Sequence, residues 1–129
     1  MVPAAIPDHV LAFIRERIDT VPELETLLLL SLDPEKCWSA AEVAARVYVR
    51  EDRATAILVA LQRRRLVGQV EGRPQEYCFR PASDTERRLV AEVDRAYRSN
   101  LAAIATFIHD NGPISVREFA RAFDFKKDR

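Results

Sequence analysis

Glycine is scarce in this chain of 129 residues: Gly68, Gly72 and Gly112 are all there is. That excludes the glycine-rich loop by which backbone amides cradle a phosphate. Cysteine is scarcer still. Cys37 and Cys78 form no C-x-x-C pair, and no His/Cys/carboxylate cluster has metal-ligand spacing, so neither a metal nor a cofactor is expected. Both cysteines neighbour aromatics, Trp38, Tyr77 and Phe79, and read as small core residues with reduced thiols. The histidines, His9 and His109, stand without a paired nucleophile. No catalytic constellation is legible, and the chain is not read as an enzyme. No apolar run approaches the roughly 20 residues of a membrane span, and the first residues lack the basic start and apolar stretch of a signal peptide. A cytoplasmic protein with no membrane contact is the expectation. Charge of one sign is also missing: 20 basic residues balance 20 acidic ones. A wholesale electrostatic sink for nucleic acid is thereby excluded, though a local basic face is not.

The charge is unevenly placed. Residues 1–45 carry three basic against eight acidic side chains, a net −5. Residues 46–80 carry eight arginines against four acids, a net +4. The basic excess therefore lies in the middle third.

One signal recurs four times: Ser or Thr followed three residues later by Glu, ahead of a helical apolar pattern. The pairs are Thr20/Glu23, Ser39/Glu42, Ser83/Glu86 and Ser115/Glu118. In each, the hydroxyl can accept from a free first-turn amide while the carboxylate reaches back to the cap. A first helix is expected from about Asp8 to Ile18, with Val10, Leu11, Ile14 and Ile18 on one stripe. A second starts at Thr20 and stops near Asp33-Pro34. A loop over 34–38 leads to a short helix from Ala40 to about Val47. Another runs from Arg50–Asp52 to about Arg65, with Ala54, Leu58 and Leu61 inward and Ile57 at the edge. Two strands follow, 66–70 and 76–80, around a turn at 71–75. Ser83 opens the longest helix, to about Asp110, closed by Asn111-Gly112-Pro113. At 1.5 Å per residue it would span about 40 Å, long for so small a core. Val90, Val93, Tyr97, Ile104 and Phe107 keep heptad spacing, with Asn100 at a polar break and Leu101 and Ile108 widening the stripe.

The order helix, helix, helix, hairpin from Thr20 to Pro81 resembles the winged helix-turn-helix domain. The run Ala54–Val67, passing into Arg65-Leu66-Val67-Gly68, is similar to that fold's recognition helix entering its first wing strand, although Arg65 stands where the family usually has glycine. Helices on both sides resemble the MarR type of dimeric regulator. The expected architecture is mainly α with a small β-hairpin: an N-terminal helix extension (1–19), the winged domain (20–82), a long dimerisation helix (83–112) and a short C-terminal helix and tail (113–129). The ending Phe119-Ala120-Arg121-Ala122-Phe123-Asp124-Phe125-Lys126-Lys127-Asp128 is similar to the tail of a bacterial family of small proteins of this layout, which implies nothing about activity.

The resemblance implies double-stranded DNA as partner. Arg50, Arg53 and Thr55 at the helix start and Arg73 at the wing tip are then the candidate contacts, since the guanidinium fork suits phosphate and guanine alike. Arg63, Arg64 and Arg65 favour the helix's negative end and can equally be structural. Against DNA stand Glu51 and Asp52 at the helix start and the apolar Ala56, Val59 and Ala60 on its outer face, which suit a protein partner. A homodimer is expected through Val90, Val93, Tyr97, Leu101, Ile104, Phe107 and Ile108. The resemblance also implies an effector between the dimer helices and the winged domain, though no residue set names one. Phe119, Phe123 and Phe125 either fill a groove on the domain or its dimer mate, or dock on a protein partner.

Overall fold

Helix starts follow the capping signals. In the computed structural model of this chain, residues 6–110 are described. Helix α1 (Asp8–Arg17) follows Pro7 and carries Asp8 in its first turn, next to the positive helix end. Helix α2 (Val21–Leu32) is capped by Thr20, whose hydroxyl accepts the Glu23 amide at 3.2 Å. Glu23 reaches past the cap and accepts the Asp19 amide at 2.8 Å. Helix α3 (Ala40–Val47) has the full reciprocal box between Ser39 and Glu42. Helix α4 (Glu51–Arg63) has no side-chain cap. Helix α5 (Asp84–Ser99) begins where Ser83 accepts the Glu86 amide at 3.2 Å. Helix α6 (Leu101–Asp110) follows it. The fourth pair, Ser115/Glu118, lies outside the described residues.

The expected single helix from 83 to 110 is two. Asn100 leaves helical geometry at φ −141°, and its side-chain amide donates to the Ala96 carbonyl at 3.1 Å. The break lets α5 and α6 bend around the domain, so the apolar stripe meets this chain's own core.

Three strands form the sheet, not two: β1 (Trp38–Ser39), β2 (Val67–Val70) and β3 (Arg73–Phe79), antiparallel in the order β1-β3-β2. The added strand comes from the end of the expected 34–38 loop; Trp38 faces Tyr77 and Ser39 faces Glu76. The wing tip is also tighter than expected. Val70 already pairs with Arg73, and Gly72 supplies the positive φ of 82° that the turn needs. A bulge sits beside it, because Gln69 pairs with Tyr77. The Gln69 amide ties the bulge by donating to the Pro74 carbonyl at 2.6 Å.

The β1–β3 register also corrects the reading of the cysteines. Cys37 and Cys78, one step beyond the Trp38–Tyr77 pair, are joined as a disulfide across a sequence separation of 41. They are not separate thiols. Without β1, nothing in the sequence placed them opposite each other.

The core gathers Val10 and Ile14 of α1, Leu24, Leu27 and Leu30 of α2, Val43, Leu58 and Leu61, the strand entry Leu66, and Val90, Val93 and Ile104, all fully buried. Removing such side chains from water is worth about 1.5–3 kcal/mol each.

Candidate nucleic-acid interface

Helix α4 is held by its buried side and by its C-terminus. Ala54, Ile57, Leu58 and Leu61 are buried, Ile57 included, although the spacing put it at the edge. Beyond Arg63 the chain turns through Arg65 at φ 63°. The Arg65 amide donates to Gln62 O and the Leu66 amide to Leu61 O, both at 3.0 Å. That pair of bonds, with Leu61 and Leu66 both buried, is the Schellman closure usually built on glycine.

Arg64 turns inward. Its guanidinium donates to Arg17 O at 2.8 Å, to Glu23 at 2.7 Å and to Asp19 at 2.9 Å. Arg17 in turn pairs with Glu86 at 3.0 Å and donates to the Arg64 carbonyl. One charge network therefore fastens the end of α4 to α1, α2 and α5. Of the arginine triplet, Arg64 is structural, while Arg63 and Arg65 are exposed.

At 100° per residue, Asp52, Ala56, Val59 and Arg63 lie furthest from the buried side of α4. Glu51, Thr55 and Gln62 form one flank, Arg53 and Ala60 the other. The first flank faces the wing: Gln62 donates to Gln69 at 3.3 Å. A depression of about 440 Å³ lies between Ser39, Glu51, Thr55, Pro74 and Gln75. It brings the start of α4 and the wing to one place, with Arg50 and Arg73 as chain neighbours of its walls. Ser39 and Gln75 were not among the sequence candidates; unrecognised β1 hid the first, and the overlong turn hid the second.

The candidate arginines differ in availability. Arg50 is exposed but pairs with Asp52 at 3.3 Å, and Arg73 pairs with Glu76 at 3.4 Å. Arg53 is exposed and has no ion-pair partner among the described residues. Thr55 gives its hydroxyl proton to Glu51 O at 3.1 Å. At the start of α3 the backbone hydrogen bond from Ser39 holds the Glu42 carboxyl below its usual range, with Lys36 assisting. That helix end already carries its own anion.

The stripe expected at a dimer contact lies mostly inside the chain. Val90, Val93, Ile104 and Ile108 are buried, and so is Tyr97, whose hydroxyl donates to Glu25 at 2.9 Å. Burial pushes the Tyr97 phenol up to about 12, helped by the Glu25 carboxylate. Phe107 is partly buried, with Arg15 over its ring; Leu101 is 55% exposed. Phe119, Phe123 and Phe125 lie outside the described residues.

A second concavity, about 420 Å³, opens on the α2–α3–α5–α6 side, floored by Leu28, Leu29 and Val47. Among the described residues no group of His, Cys, Asp and Glu is placed to hold a metal, and no helix is long and apolar enough to cross a membrane.

No family model and no curated protein matches this chain. Solved structures do. Rv1404 from Mycobacterium tuberculosis is 19% identical over 93% of this chain and 78% of that one, with a TM-score of 0.53. YusO from Bacillus subtilis is 15% identical over 92% and 81%, with a TM-score of 0.51. The MarR family protein Rv2887 from M. tuberculosis is 24% identical over 92% and 82%, with a TM-score of 0.49. What the likeness to Rv1404 and YusO shows for this chain is its fold: a mainly helical winged helix with a three-stranded sheet.

Proposed function

We propose that this chain is a DNA-binding regulator in which α4 enters the major groove and the β2–β3 wing lies along the backbone. The observation that carries this reading is the shared depression between Glu51 and Thr55 of α4 and Pro74 and Gln75 of the wing. Arg50 and Arg73 are chain neighbours of its walls, while Arg53 stands on the other flank of α4, exposed beside the same helix start. Arg53 makes the first contact, since its guanidinium has no competing carboxylate among the described residues. Arg50 and Arg73 exchange Asp52 and Glu76 for phosphate as the duplex approaches; both pairs are exposed, and such pairs are worth only about 0–1 kcal/mol. Paired half-sites one turn apart require a dimer. Because the α5–α6 stripe is interior, a second copy has to meet the outward faces of α1, α5 and α6.

A specific observation supports a second reading, a protein-binding winged helix. The outermost line of α4 is Asp52, Ala56, Val59 and Arg63, which offers few groups that read a base edge. Duplex binding by the purified chain, titrated with salt, separates the two. Three phosphate contacts per chain in a dimer give a slope of log K against log salt of about −5, and Arg53→Ala on both chains flattens it by about 2. Absence of binding at low salt would overturn the DNA reading and favour the protein partner.

A further inference from the structure

The large hydrophobic side chains left exposed among the described residues are Leu32 (58%), Tyr48 (91%) and Leu101 (55%). They come from the end of α2, the end of α3 and the start of α6, yet all three line the same groove of about 420 Å³. Scattered apolar side chains on a surface need no explanation, but convergence on one concavity marks a covered surface. The charges around it are already engaged: Arg98 with Asp94 at 3.0 Å, Glu25 with Tyr97, and Arg46 over Trp38. The chemistry of the groove therefore suits an apolar occupant.

We propose that the occupant is this chain's own C-terminal segment, residues 115–125, seated through the face that carries Phe119 and Phe123. Reach supports it. Helix α6 runs from Leu101 at the groove to Asp110, nine residue steps and so about 13–14 Å. The sequence places a stop at Asn111-Gly112-Pro113 and a helix start at Ser115. A helix returning antiparallel to α6 from Ser115 regains the level of Leu101 after nine residues, at Asp124, between Phe123 and Phe125. Val116, Phe119, Ala120 and Phe123 share one face of that helix, three and four residues apart. Charge agrees as well. Lys126 and Lys127 follow the segment directly, and the exposed Asp33 and Glu35 follow Leu32 at the groove's edge. Seated there, the segment covers Val47 and Tyr48, the turn that leads into α4, and so braces the helix that meets the partner. The inference does not depend on what α4 binds.

Hydrogen exchange on the full chain tests it, comparing the natural protein with Leu101→Ser and Phe123→Ser. Leu101 is exposed, so its replacement leaves the core intact. Amides of 116–125 are expected to exchange on the order of tenfold or more slower than in a free peptide of that sequence, and each substitution should abolish that slowing and loosen 47–49. The slowing should persist on dilution. Exchange of 116–125 at the free-peptide rate would overturn the proposal. So would slowing that Leu101→Ser leaves untouched, since the segment then sits elsewhere, or slowing lost on dilution, since the groove then receives a second copy's tail.

Discussion

Arg65 offers a clean test of how α4 is closed. A left-handed residue with a Cβ costs about 1–2 kcal/mol, and Arg65 sits at φ 63° with no ion pair among the described residues. Glycine removes that cost, but it also gives the unfolded chain about 0.4–1 kcal/mol more conformational freedom to lose. The arginine further contributes about 0.3–0.5 kcal/mol by lying at the negative end of α4. Arg65→Gly against the natural protein therefore mixes three terms that nearly cancel. Arg65→Gly against Arg65→Ala does not: charge is absent from both, and only backbone remains. Gly should be the more stable by about 1 kcal/mol, read as a higher urea midpoint at unchanged slope. Equal midpoints would refute the argument, because they would mean that Arg65 does not hold the left-handed conformation on which the Gln62 and Leu61 carbonyl bonds depend. Amide exchange at Leu66 in the same variants locates the effect at this turn.

The charge network predicts that Arg64→Met, which leaves Asp19, Glu23 and the Arg17 carbonyl without their donor, costs about 2–4 kcal/mol in denaturant unfolding, less than a fully buried pair because Arg64 keeps a quarter of its exposure. Reducing the Cys37–Cys78 bridge should cost up to about 4 kcal/mol by the loop-entropy relation for its separation of 41 residues; two reactive thiols in the natively purified chain would show the bridge is not formed. Tyr97 binds its proton more tightly folded, at about 12, than unfolded at 10. Its contribution is thus complete below pH 10 and is lost as pH climbs toward 12. Tyr97→Phe should flatten the alkaline limb of the stability curve over that window.

Local rules made most of the fold legible. The capping pairs located the starts of α2, α3 and α5, and spacing found the buried face of α4, because both signals act within one or two turns of chain. What the sequence hid was set by pairing at a distance. A strand as short as Trp38–Ser39 has no periodicity to detect; only its partner β3 defines it. The disulfide went with it, since two cysteines become neighbours only through that register. The α5–α6 stripe misled for a related reason. Heptad spacing states that one face is apolar, not what covers it, and with the turn at Asn100 most of that face joins the same buried cluster as Leu24 and Leu27. The fate of the arginine triplet was equally invisible: Arg64 is structural because Asp19 and Glu23, more than 40 residues earlier, come to its side.

The same distinction bears on the candidate surface. The middle third of the chain carries eight arginines, and by composition it is the basic region. In the fold most of that charge is engaged. Arg64 is tied into the α1–α2–α5 network, Arg50 and Arg73 are paired, Arg46 lies over Trp38 and Arg80 donates to the Gln69 carbonyl. Arg53, Arg63 and Arg65 remain without a side-chain partner among the described residues, and Arg63 and Arg65 stand at the far end of α4. A polyanion approaching the wing and the start of α4 therefore meets one free guanidinium and two that must first leave a carboxylate. Breaking an exposed pair costs little, so this arrangement permits DNA binding, but it lowers the gain per contact and with it non-specific affinity. Arg53 should accordingly dominate. If Arg50→Ala and Arg73→Ala weaken duplex binding as much as Arg53→Ala, the two carboxylates are not competing for their arginines in solution, and the ranking drawn from these ion pairs is wrong.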